Sequence, residues 1–366
     1  MRAGTDSFVI GGGAYPDPRR AGYRMPAEWE THAATWLAWP HNSDTWSSHL
    51  EQVRLTWVEL MAALVPVERV ELLVNDAAAE AEVTDLLHAR GVALGGVRFR
   101  RIPTVDVWIR DYGPTFLVSA RAPDPLALIN WTFNAWGEKY AEYVADDSVV
   151  ARMNAFLGLP DFQPGVVLEG GSIEVNGVGT LLTTEQCLLN PNRNQKPTRE
   201  LIEKLLGACL CVDHVIWLEG TVAGDDTDGH IDNLARFIDQ RTVVCVLEED
   251  PGDENYQGLR ENHQRLMRAT NAAGEALRVL TLPQPDPVFE DGARLPASYA
   301  NFYIANETVL IPLFGGSKDM LATEILRGVS PTHRVVGVNA VALIHGLGGI
   351  HCVTQQQPLT RPRDNS

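Results

Sequence analysis

No apolar run in this 366-residue chain approaches the ~20 residues that a membrane-spanning helix needs, so no membrane partner is expected. The N-terminal stretch MRAGTDSFVIGGGAYPDPRRAGYRMP holds an arginine pair without the apolar segment that follows one in a secretory signal. A cytoplasmic location is the resulting expectation. Basic residues are in deficit: 30 Lys and Arg against 47 Asp and Glu leave a net charge of −17. That balance argues against nucleic acid, whose phosphates need a basic surface. It suits a small cationic substrate, or solubility alone. Paired cysteines are missing too. The five cysteines, Cys187, Cys209, Cys211, Cys245 and Cys352, are odd in number and never spaced C-x-x-C, so neither a disulfide framework nor a structural zinc is expected. Four of them lie among Leu, Val and Ala and read as core filler. Cys209 and Cys211 fall within LGACLCVDHVIW, which reads as a strand. Cys352 alone is flanked by glycine and polar residues, in GLGGIHCVTQQQP.

What is present is the composition of a globular chain, 45% hydrophobic and 21% charged, long enough for one or two domains. Apolar spacing predicts helices over 45–65, ending at Pro66, and over 77–91, with others in SVVARMNAFLG, PTRELIEKLLG and YQGLRENHQRLMRATNAAGEAL. Between them VERVELLVND, DVWIRDYGPTFLV, LALINWTFNAW, GVVLEGGSIEVNGVGTLLTT, NLARFIDQRTVVCVLEE, NFYIANETVLIPLF and RVVGVNAVALIHGLGG read as strands. No long linker or low-complexity segment divides the chain. A helix followed by two or three strands recurs without a recognisable repeat of residues, which predicts an α/β domain of several small modules.

Three further stretches set a carboxylate or imidazole beside glycine or within an apolar run: DVWIRDYGP with Asp111, LEGGSIE with Glu169, and GDDTDGHIDNLARF with His230 and Asp232. Charges there are costly unless paired or used, and glycine admits close approach. Each also has an ordinary reading. Asp111 stands beside Arg110 as half of an ion pair, Glu169 opens a turn, and Glu219 in WLEG is similar. Asp225, Asp226, Asp228, His230 and Asp232 read either as a metal site or as a solvated acidic loop, and Cys352 as a core thiol. Taken together the set suits a guanidinium, a planar cation with a fork of N–H donors that two carboxylates can grip. A thiolate then attacks its central carbon while a histidine handles protons.

The ordered segments RMPAEWETHAATWLAWPHN, VDVWIRDYGPTF, NWTFNAWG, VLEGGSIEVNGVGTLLTTEQCLLNPNRN, DTDGHIDNLARF, SYANFYIANETVLIP and HGLGGIHCVTQQQP run from residue 24 to residue 358. In them the chain resembles the agmatine deiminase and bacterial peptidyl-arginine deiminase family. The resemblance implies a single-domain, pseudo-fivefold α/β propeller of the pentein type over residues 24–360, with a flexible extension over 1–23 and a tail over 361–366. It implies Cys352 as nucleophile, His230 as general acid and base, Asp111 and Asp232 as guanidinium-binding carboxylates, and Glu169 paired with His230. Trp108 is expected along the aliphatic part of the substrate and Asn301 at the site. Neither metal nor organic cofactor is implied, and a homodimer is the expected assembly. The implied reaction releases ammonia from agmatine to give N-carbamoylputrescine, a step toward putrescine and polyamines. A free thiol titrates near ~8.5, so His230 or the bound cation is expected to lower that of Cys352. After NAWG the chain departs from the family's longer loop of glycine and aromatics and turns quickly into a helix, at the expected place of the substrate tail. Another small guanidine is therefore the alternative substrate, ahead of peptidyl-arginine. A metal-dependent hydrolase and a non-catalytic guanidine-binding protein are the other classes open to the sequence.

Overall fold

The computed structural model describes residues 7–10, 13–220 and 222–360. The strand His32–Ala38 pairs parallel with Arg69–Val74, and both are buried over most of their length. A parallel pair cannot be joined by a tight turn, and helix Leu50–Leu64 makes the crossover. That helix buries Val53, Trp57, Leu60, Met61 and Leu64 on one face and ends just before Pro66, which cannot continue it.

The same unit recurs. In five sheets a strand pairs antiparallel with a second, and the second pairs parallel with a third across a helix. One sheet holds Thr115–Val118, Leu126–Ile129 and Asp161–Phe162, joined by helix Val149–Leu157. The next holds Glu174–Val175, Thr180–Thr184 and His214–Leu218, joined by helix Arg199–Leu210. Ala235–Phe237, Thr242–Leu247 and Arg278–Pro283 follow with helix Tyr256–Arg268. Tyr303–Ala305, Thr308–Leu313 and Arg334–Asn339 follow with helix Asp319–Val329. In the first sheet the antiparallel strand comes from the far end of the chain: Gln355–Pro358 pairs with His32–Ala38. An extra edge strand, Val97–Arg101, widens that sheet to four. The repeat lies in pairing and crossover and not in side chains, so it is invisible as a repeat of residues.

Several elements differ from the sequence reading. LGACL belongs to helix Arg199–Leu210, and the strand begins only at His214; Cys211 between them is left-handed, with φ 62°. Helix Tyr256–Arg268 stops well before Leu277, because Asn271 Oδ1 accepts from the N–H groups of Ala273 and Glu275 and bends the chain into a turn. Helix Leu50–Leu64 starts later than residue 45. The glycine-rich end of RVVGVNAVALIHGLGG is not strand, since Arg334–Asn339 ends first. Within the expected N-terminal extension, Ser7–Ile10 pairs with Gly13–Pro16 and Tyr23 is buried; just after it Arg24 bridges to Val118. The packed body thus begins before residue 24. The tail at 361–366 lies outside the described residues. No helix among the described residues is long and apolar enough to cross a membrane.

Candidate active site

Each sheet is entered through a short turn set immediately before its antiparallel strand. Those turns are Ile109–Tyr112, Gly170–Ser172, Ile231–Asn233, the bend at Ser298–Asn301, and His351–Val353. They carry or adjoin Asp111, Glu169, His230 with Asp232, Asn301 and Cys352, which places at least one candidate on each module. The candidates are spread over more than two hundred residues of sequence, and the repeat of the unit brings them together.

Cys352 is buried, with its sulfur 3.3 Å from Asn301 Nδ2, 3.6 Å from Asn301 Oδ1 and 3.8 Å from Asp232 Oδ2. Asn301 is itself fixed, since its Nδ2 also donates to Asn233 Oδ1 at 2.9 Å and its Oδ1 accepts from the His351 N–H at 2.8 Å. Burial, and after it the charges of Asp232 and Asp111, push the Cys352 thiol well above its ordinary range, against the Gly349 N–H and Asn301. Burial and the two carboxylates outweigh any lowering by His230 here.

Asp111 is anchored through both oxygens: Oδ1 accepts from the Gly171 N–H at 3.0 Å and Oδ2 from the Trp136 indole at 2.9 Å. Burial raises its carboxyl, with Asp232 and Glu169 adding to the rise and His230 and Trp136 opposing it. His230 Nδ1 lies 3.7 Å from Asp111 Oδ1. Burial disfavours its charged form, yet Asp111, Cys187 and Glu169 outweigh that and raise its pKa well above the usual histidine range. Only glycine fits at 171, where a Cβ would stand 2.5 Å from His230 Nδ1 and 2.8 Å from Asp111 Oδ1. Both ring nitrogens of His230, and Asp232 Oδ1, are buried without a hydrogen-bond partner among the described residues. Buried polar atoms are normally satisfied, so these three mark where a polar ligand is needed.

Glu169 departs from its expected pairing. Its Oε1 accepts from Arg193 Nε at 2.7 Å, and its Oε2 lies 4.0 Å from the Cys187 sulfur. One donor atom from each of Glu169, Cys187 and His230 falls within 4.8 Å of the others, so Glu169 reaches His230 as a nearby charge and not as a hydrogen-bond partner. Cys187 is thus more than apolar filler. Arg193 also binds Asp228 and donates to the Thr227 carbonyl at 2.8 Å. The carboxylates of the acidic loop turn to separate partners. Asp225 accepts from Thr227 and Gly229 within its own turn. Asp226 is held by Tyr140 and Lys139, and Asp228 by Arg193, Asn192 and Lys139. Glu219 pairs with Arg265 away from the site.

A cavity of about 200 Å³ opens onto Cys352 and Asp111, walled by Trp108, Trp136, Tyr140 and Tyr143. Trp108 packs against Trp46 with ring centroids 5.7 Å apart. The short segment after Asn134 does supply aromatics. It turns through four successive left-handed residues, Ala135, Trp136, Gly137 and Glu138, with φ 55°, 56°, 88° and 65°. Three of them are not glycine, each at a cost of about 1–2 kcal/mol, and the gain is Trp136 aimed at Asp111. Tyr140 and Tyr143 stand edge-on to it at 5.9 Å. A larger depression, about 1040 Å³, lies around Arg19, Arg24 and Cys211 and holds none of these groups.

Two residues of this site went unread in the sequence. His351 lies between two buried carboxylates, with Nδ1 2.8 Å from Asp232 Oδ2 and Nε2 2.8 Å from Glu28 Oε2. Glu28 in turn meets Arg236 at 2.7 Å and Arg110 at 3.3 Å. Burial opposes the charge on Asp232, but His351 and then His230 hold its carboxyl below the usual range. Replacing His351 by Asn removes that support, so Asp232 must protonate at higher pH. The acid limb of kcat/KM is expected to move upward in H351N, with KM rising ~10-fold. A pH profile of purified H351N, checked for native melting, measures both; an unmoved limb would show His351 to be packing alone.

A family profile for Porphyromonas-type peptidyl-arginine deiminase matches residues 24–358. The agmatine deiminase of Stutzerimonas stutzeri is 39% identical, over 93% of this chain and 97% of that protein. The agmatine deiminase of Medicago truncatula is 38% identical, over 93% and 98%. The solved agmatine deiminase of Enterococcus faecalis superposes with a TM-score of 0.85 at 31% identity, covering 96% of this chain and 99% of that one.

Proposed function

We propose, from the premise that this chain belongs to the Porphyromonas-type peptidyl-arginine deiminase family, that it is a cysteine-dependent guanidine iminohydrolase acting on agmatine. The observation that carries the reading is the site itself: a thiol near two buried carboxylates and a buried histidine whose ring nitrogens have no hydrogen-bond partner among the described residues. The five repeated sheets support a pseudo-fivefold propeller, with one site-bearing turn per blade at its centre.

The guanidinium lies between Asp111 and Asp232 and donates to Asp232 Oδ1. Its charge offsets the two carboxylates that hold the thiol neutral, so binding is coupled to thiolate formation, with the thiol proton passing to solvent. The Cys352 sulfur adds to the guanidinium carbon, giving a neutral tetrahedral adduct. Protonated His230 gives its proton to one amino nitrogen, the C–N bond breaks, and ammonia leaves a cationic S-alkylthiouronium. The now neutral His230 takes a proton from water as its oxygen adds to the same carbon. The C–S bond then breaks as the adduct's hydroxyl proton passes to solvent, where ammonia ends as ammonium; the neutral ureido product leaves and the thiolate returns. Glu169, fixed by Arg193, supplies negative charge that keeps His230 protonated for the first half.

The aromatic walls suit a four-carbon chain, and Asp44 and Asp226 line the same cavity. Asp226 is taken by Tyr140 and Lys139, which leaves Asp44 to meet the terminal amine. Asp44→Asn is expected to raise KM for agmatine ~5-fold, as suits one exposed ion pair of about 1 kcal/mol, and to leave a neutral-tailed alkylguanidine unaffected. Ammonia and ureido product measured from agmatine, arginine, an arginine peptide and simple alkylguanidines test the whole reading. Preference for agmatine supports it, preference for another guanidine moves the substrate, and silence on all of them removes it.

A further inference from the structure

At the rim of the cavity two imidazoles and a carboxylate come together from three separate elements. His49 caps helix Leu50–Leu64, His345 lies in the turn Leu343–Gly346, and Glu290 ends the short strand Phe289–Glu290. The two rings stack with centroids 4.0 Å apart and planes 14° from parallel. His345 Nδ1 is 2.9 Å from Glu290 Oε2. One donor atom from each residue lies within 4.8 Å of the other two, and all three side chains are half-buried. None of them has a part in the reaction proposed above. Their ordinary reading is a stacked pair with one ion pair.

We propose that His49, His345 and Glu290 form a binding site for a borderline divalent ion of the zinc type. Two imidazoles and one carboxylate are a donor set that zinc, cobalt and nickel take readily, whereas magnesium and calcium prefer oxygen alone. Zinc–nitrogen bonds of ~2.0–2.1 Å at a tetrahedral angle set two donors ~3.3 Å apart. The three donor atoms stand within 4.8 Å of one another, so closing to that spacing turns the His49 ring off its stack with His345 and away from Ser48. Half-burial leaves the fourth position to water. Each ligand comes from a different element, so an ion joins the helix, the turn and the 289–294 ribbon. His345 also opens the segment Gly346–Gly348 that walls the cavity, so a bound ion restrains that wall and slows turnover.

The full chain, stripped with a chelator, is titrated with Zn²⁺ and with Co²⁺ by calorimetry and absorption, beside H49Q and E290Q. About one ion per chain in the parent protein, a Co²⁺ spectrum without thiolate charge transfer, and at least tenfold weaker binding in both variants are the expected results. No binding, binding equal in both variants, or a thiolate band that places the ion on Cys187 or Cys352 would overturn the site. A second arm, which alone rests on the deiminase reading, follows agmatine turnover with added Zn²⁺. Inhibition of the parent and not of H49Q is expected, and unchanged turnover with the ion bound would overturn the restraint on the cavity wall.

Discussion

Cys352→Ala is expected to lower kcat on agmatine by ~10⁴-fold or more while leaving substrate affinity within a few-fold of the parent. The two halves of that expectation have separate causes. The guanidinium is gripped by carboxylates, and both keep their anchors without the sulfur: Asp111 on Gly171 and Trp136, Asp232 on His351. Catalysis, by contrast, needs a nucleophile that stays with the carbon while ammonia departs, and among the described residues Cys352 is the only thiol on the cavity wall. Cys187 cannot replace it, because it lies buried on the Glu169 side of His230 and not on the cavity wall. Calorimetry of agmatine on C352A, set beside single-turnover ammonia release, separates binding from chemistry. Residual turnover near the parent rate would mean that the buried thiol is structural and that another group attacks.

The sequence carried the chemistry of this site better than its support. Cys352, His230 and Asp111 stood out because a polar or charged group between glycines and apolar residues is costly unless used, and that cost is visible in a single segment. Arg193, Glu28 and His351 gave no such signal. Arg193 sits in the Asn- and Pro-rich stretch NPNRN, where a cation reads as surface, yet it is buried against Glu169. Glu28 meets Arg236 and His351 across 208 and 323 residues, respectively, so nothing local distinguishes it from a solvated carboxylate. The fold shows the same division. Strands such as Thr242–Leu247 were legible from β-branched content, whereas the repeated unit is made of pairings between segments that share no side chains. Elements were misread mainly where a cap or turn overrides an apolar run: Thr198 and Cys211 bracket a helix through LGACL, and Asn271 ends one that periodicity would continue.

Asp232→Asn is expected to cost nearly as much as loss of the thiol, about 10²–10⁴-fold in kcat/KM, and for a reason that reaches through two shells. Asp232 lies beside Cys352; its Oδ1 has no hydrogen-bond partner among the described residues, and its Oδ2 meets His351 at 2.8 Å. Asparagine keeps the size and one oxygen but removes the charge. The guanidinium then loses one of its two counter-charges in a buried site, where breaking an ion pair costs about 3–5 kcal/mol. An amide that turns its N–H₂ to the incoming cation repels it, and one that turns its N–H₂ to His351 is accepted only by an Nδ1 that carries no proton. Asp111→Asn removes the same formal charge but leaves Asp232 and its His351 support in place. It also leaves Gly171 and Trp136 facing an amide that can accept from only one of them, so its damage falls first on orientation. The two variants therefore separate in a way that a uniform electrostatic loss would not. D232N should raise KM steeply and slow turnover yet speed alkylation of Cys352, because the negative charge of Asp232 is one of those that keep the thiol protonated. Rates of Cys352 alkylation against pH in D232N, D111N and the parent decide the matter. A thiol that reacts more slowly in D232N than in the parent at neutral pH would reverse the sign assigned here to Asp232.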